Sequence, residues 1–137
     1  MDEVIAELKD LEINLQVGNP DWKVPDPYDF NVYFTMVIGS KGSTAADLFY
    51  GQVCSPKWLA KQVSAGRVFF AYRLTIMEKY DYGLLERSVG EYCARCNGSS
   101  WDEVVQKLSL IGGWEFDYSK GKLGLPSQFQ PSDIKRN

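Results

Sequence analysis

Phe30, Val32, Phe34, Met36 and Ile38 stand at every second position, separated by Asn31, Tyr33, Thr35 and Val37. Successive side chains of a strand point to opposite faces, so this alternation describes a strand with one face on a core. Gly39 to Ser43 reads as a turn into a further strand at about 46–54, where Phe49 and Val53 share a face. Residues 3–16 alternate too, with Leu11, Ile13 and Leu15 against Asp10, Glu12 and Asn14, and read as a strand. Val4, Leu8, Leu11 and Leu15 also fit helical spacing, so both forms stay open there. A loop carrying Pro20, Pro25 and Pro27 separates these first two segments. Val68, Phe70, Tyr72, Leu74 and Ile76 predict another strand.

The remaining periodicity is helical. Ser55-Pro56 has the form of an N-cap followed by proline at the first helical position, opening a short helix from Lys57 to about Ser64. From Tyr82 to Cys96, residues Leu85, Val89, Tyr92, Cys93 and Cys96 line one face. Ser100 and Glu103 form a capping box before Trp101, Val104, Val105, Leu108 and Ile111. Gly112-Gly113 stops that helix, and Trp114, Phe116 and Tyr118 are expected to be extended. The order β-β-β-α-β-α-α-β predicts an α+β fold: an antiparallel sheet of about four to five strands, with two main helices and one short helix on one face. Residues 1–118 are expected to form one α+β domain. The segment 119–137, rich in Gly, Ser, Gln and Lys and broken by Pro126 and Pro131, is expected to be a flexible C-terminal tail.

The chemistry available is limited, because 137 residues contain no histidine. Ser-His and Cys-His nucleophile systems and histidine-bound metals are thereby excluded. Cys93-Ala-Arg-Cys96 resembles a redox pair, but it ends a predicted helix, where the dipole disfavours thiolate, and it shares the apolar stripe. The pair reads as packed core thiols. With Cys54 there are three cysteines, one short of a four-cysteine zinc site. No glycine pattern forms a phosphate cradle. The reading is therefore a non-enzyme without cofactor or metal. The charged N-terminus leaves no room for a signal peptide and no run could span a membrane, so a cytoplasmic protein with reduced thiols is expected.

Charge is unevenly placed. Residues 1–40 hold eight acids against Lys9 and Lys23, a balance of −6, residues 41–118 are neutral, and 119–137 carry +3. An acidic first third repels nucleic acid and attracts basic proteins.

Four segments, in order, resemble the immunity protein 8 family. Phe30 to Gly42 looks like its strand ending in an Ile-Gly-x-Lys-Gly turn. Asp47-Leu-Phe-Tyr-Gly-Gln-Val-Cys-Ser-Pro-Lys-Trp-Leu59 is similar to its strand-to-helix segment. Tyr80-Asp81-Tyr82, and Ser100 to Glu103 through Ile111-Gly112-Gly113-Trp114-Glu115-Phe116, resemble its C-terminal signatures. The resemblance covers about Phe30 to Tyr118. It implies a bacterial cytoplasmic protein that binds and neutralises a cognate toxin of a polymorphic-toxin or contact-dependent growth inhibition system. The signatures themselves have structural explanations and are not carried over as toxin contacts. A basic toxin, such as a nuclease, would be met by the acidic segment: Glu7, Asp10, Glu12, Asp21, Asp26 and Asp29, with Trp22 as an anchor. The alternative is a non-inhibitory adaptor or secretion chaperone using the same acidic face on a basic protein.

Overall fold

A computed structural model describes residues 3–14 and 23–119, without the side chains of Tyr118 and Ser119. Its centre is three antiparallel strands: β1 (Val4–Ile13), β2 (Asn31–Ser40) and β3 (Asp47–Cys54). Helix α1 (Pro56–Ser64) and a loop over 65–73 carry the chain to β4 (Leu74–Ile76), which pairs with β3 in parallel. Then come α2 (Tyr82–Ala94), the two-residue β5 (Asn97–Gly98), α3 (Trp101–Leu108), β6 (Gly113–Trp114) and α4 (Glu115–Ser119). The sheet runs β4-β3-β2-β1-β5, with β6 also on β3. The fold is α+β as the patterning predicts. Its sheet, however, is mixed, because the α1 crossover returns β4 alongside β3 in the same direction.

The alternating residues of β2 build the core. Val32, Phe34, Met36 and Ile38 are buried, as are Phe49 and Val53 on β3. Phe34 faces Gly51 across the ladder, and a Cβ at Gly51 would lie 2.6 Å from its ring. The glycine is where the ring rests. Leu85, Val89 and Cys93 of α2 and Val104, Val105 and Leu108 of α3 join this cluster. Removing each such aliphatic side chain from water stabilises the fold by roughly 1.5–3 kcal/mol.

Segment 3–16 resolves into a strand over its described part, and a bulge explains its mixed periodicity. The register runs Leu8↔Ile38 and then Asp10↔Val37, so Lys9 is an extra residue on β1. Ala6 is buried before the bulge and Leu11 after it. An inserted residue shifts the phase of alternation by one. The spacing from Val4 through Leu8 to Leu11 therefore imitates a helix. Leu15, like residues 16–22 and 120–137, lies outside the described residues.

Two expectations are corrected. The strand predicted over 68–76 is confined to Leu74–Ile76, and 67–73 is a loop. Ala71 (φ 61°) and Arg73 (φ 57°) occupy the left-handed region, which a continuous strand cannot contain and which costs an L-residue roughly 1–2 kcal/mol. The segment predicted to extend from Trp114 through Tyr118 is extended only at Gly113–Trp114, and α4 follows. Aromatic residues at every second position supplied the strand pattern there, yet they sit largely in one helical turn.

Candidate interaction surfaces

The motif residues hold the fold together. Asp47, at the start of β3, accepts two indole hydrogen bonds at one carboxylate oxygen, from Trp101 Nε1 at 2.8 Å and Trp114 Nε1 at 2.9 Å. Glu115 accepts the backbone N–H of Leu48 at 2.7 Å. Strand β3 is thereby tied to α3, β6 and α4. Ser55 Oγ accepts from Trp58 N–H at 3.2 Å, as an N-cap should, and also from Phe30 N–H at 3.1 Å. Ser100 caps α3 through Glu103 N–H. Glu103 reaches back to the N–H of Ser99, one residue before the capping-box partner, and this bond holds its carboxyl below the usual range.

Cys54, Cys93 and Cys96 are buried free thiols. Desolvation pushes Cys54 up to about 11 and Cys93 up to about 12, and Cys96 also upward. A thiol held protonated is a poor nucleophile. Among the described residues, no group of three or more His, Cys, Asp or Glu side chains could hold a metal ion.

Among the described residues the acidic positions differ in what they are bonded to. Glu7 and Lys9 are paired at 2.7 Å, and Lys9, with the Glu7 hydrogen bond first, lowers the Glu7 carboxyl. Asp26 turns back to accept the N–H of Tyr28 at 2.9 Å, and Asp29 is bound by Lys61. Asp21 and Trp22 lie outside the described residues. Asp10 and Glu12 remain exposed on β1. They are joined by Glu86 of α2, which the acidic N-terminal run does not reveal. The tyrosine hydroxyl among them, Tyr82, donates to the carbonyl of Leu11. Its own proton is held more tightly, by burial first and then by Glu86, Asp10 and Glu12.

Beside these acids a groove of about 460 Å³ runs between Ile5–Asp10 of β1 and Glu86, Gly90 and Ala94 of α2. Lys41, which follows β2, also lines it. On the edge of β1 away from β2, β5 pairs with Val4 and Ile5 alone. This edge is partly closed. Ala6 N–H donates to Cys96 carbonyl at 3.0 Å, and Leu11 N–H to Asp10 Oδ1 at 2.9 Å. The Lys9 bulge and the Tyr82 bond add to this blunting of a strand edge.

Among the described residues, the most exposed large apolar side chain stands at the opposite side of the sheet. Phe70 is 89% and Val68 78% exposed, with Tyr72 at 45%. Phe69 between them turns inward onto Trp58, ring centroids 6.0 Å apart. The alternation that suggested a strand is thus present without a core beneath it. Arg73 is buried and donates from Nε to Ser109 carbonyl at 2.9 Å, with its guanidinium 4.3 Å from the centroid of Tyr72.

These features define a small α+β protein whose motif residues are structural and whose surface holds an acidic margin and an apolar loop on opposite sides. Residues 6–118 match the model of the immunity protein 8 family, and the chain belongs to that family. Comparison with curated proteins and with solved structures gives no match. No helix among the described residues is long and apolar enough to cross a membrane.

Proposed function

We propose that this protein neutralises a toxin in the bacterial cytoplasm by forming a tight complex with it, without chemistry of its own. The family match over residues 6–118 carries this reading, since immunity to a toxin is what the family denotes. The buried thiols and structurally engaged carboxylates support it, because they leave surface shape and charge as the means of action. We further propose a basic toxin, of the nuclease class, delivered by a polymorphic or contact-dependent system. Asp10 and Glu12, exposed on β1, are the acids we assign to steer it, Asp10 accepting only the N–H of its neighbour Leu11. Glu7, Asp26 and Asp29 are also engaged within the chain, and Asp21 and Trp22, outside the described residues, stay in the proposal on the sequence alone.

Co-expression with the toxin domain encoded beside this chain's gene tests the reading. Growth is expected to be restored and a complex to copurify, with a dissociation constant of nanomolar order. A chain that leaves the cells dying ends the proposal. The steering surface has its own measure. Asp10→Lys with Glu12→Lys should slow association about tenfold at low salt and less at high salt, as screening requires; an unchanged association rate discards that surface.

A further inference from the structure

Residues 56–79, the crossover from β3 to β4, carry Lys57, Lys61, Arg67, Arg73 and Lys79 against Glu78 alone, a local balance of +4 in a chain of net −3. From this basic limb the loop raises Val68, Phe70 and Tyr72 into solvent. Single exposed apolar residues are ordinary, but Val68 and Phe70 standing clear at strand spacing, with Tyr72 next in line over the Arg73 guanidinium, are not. The loop is also held in shape. Phe69 is pinned to Trp58 and lies 4.8 Å under the Arg67 guanidinium, and Arg73 anchors the far end to Ser109, next to the exposed Leu110. Ala71 and Arg73 keep left-handed backbone to make the turn. Backbone strain kept at a rigid, exposed aromatic tip is typical of recognition sites. A rigid side chain also loses little entropy when bound.

The geometry points to this loop as the anchor of the toxin complex, with Phe70 entering an apolar pocket of the toxin domain whose rim carries carboxylates. The pairing follows from charge complementarity: Arg67 is exposed beside the apolar stripe on a limb that also exposes Lys57 and Lys79, and Glu78 is the limb's one acid, while the buried Arg73 serves only to anchor the loop. A toxin that is basic overall still has carboxylates, and the loop needs them only at that rim. The inference rests on the neutralisation reading and adds to it the contact that supplies affinity, on the side of the sheet away from Asp10 and Glu12.

The full chain and the variants F70S, V68S/F70S and L84S would be titrated calorimetrically with the toxin domain encoded beside its gene. Leu84 is an exposed apolar residue of α2 and serves as the control. F70S should weaken binding about 30-fold, the size of a hot-spot loss, and V68S/F70S further, while L84S stays within about threefold of the parent. All four should melt alike, because Phe70 packs little of its surface in the fold. If the parent binds and F70S and V68S/F70S bind equally well, the anchor assignment is overturned and neutralisation stands. If the parent does not bind, both fall. Sedimentation showing the parent self-associated and F70S monomeric would overturn the toxin assignment in favour of a second copy.

Discussion

At the scale of single residues, Asp47 decides more than its position at a strand start suggests. Two indole N–H groups converge on one of its oxygens, and both rings are only partly buried. Removing the acceptor leaves two donors to find water within packed surroundings. Hydrogen bonds to a charged acceptor contribute roughly 1.5–3 kcal/mol each. Asp47→Ala is therefore expected to lower unfolding free energy by about 3 kcal/mol in urea titration, and Asp47→Asn, which keeps an acceptor oxygen, by less. Equal losses in the two variants would mean that the indoles do not depend on that oxygen. This network was not legible in the sequence. Asp47 is 54 positions from Trp101 and 67 from Trp114, and residue spacing says nothing about which acid a distant indole meets. The buried thiols were legible, because Cys93 and Cys96 fall on the same helical stripe as Leu85 and Val89.

At the scale of elements, legibility depended on whether local pattern and tertiary packing agreed. Strand β2 was plain because its alternate residues are buried under α2 and α3. The α1 cap was plain because Ser55-Pro56 acts through its nearest neighbours. Ser55→Ala should cost about 2 kcal/mol, at the upper end for a cap, because the hydroxyl also accepts from Phe30 N–H. Chemical denaturation measures it; a loss under about 0.5 kcal/mol would mean that the second bond contributes nothing. Strand β1 was ambiguous because the Lys9 bulge breaks its period, a feature no residue type announces. The 67–73 loop misled for another reason. Its alternation has the spacing of a buried strand, but the left-handed residues at Ala71 and Arg73 end any ladder, and neither is a glycine that would have marked the spot. The site was correspondingly half legible: the acidity of β1 could be read, while the contribution of Glu86 and the exposure of Phe70 depend on packing.

For the whole molecule, the ionisable groups in its interior set a direction for stability against pH. Cys54 and Cys93 ionise near 9 without burial and at about 11 and about 12 in the fold, so the folded state binds protons more tightly than the unfolded chain. Cys96, Tyr50, Tyr80 and Tyr92 shift the same way, burial being the first cause in each. For groups raised on folding, the associated stability is complete below the unfolded value and is lost as pH climbs to the folded one. Unfolding free energy should accordingly fall between pH 9 and about 12, as the unfolded chain gains charge that the native interior refuses. Replacing Cys54 and Cys93 by Ala should flatten that slope, since it removes two of the groups responsible. Urea titrations of parent and double variant at pH 7 and pH 10.5 separate this from any general loss of packing, which would lower the unfolding free energy equally at both pH values. A parent stability that stayed level from pH 7 to pH 10.5 would mean that the thiols ionise in the fold as readily as in water, and that the interior around them is not a dry, close-packed cluster.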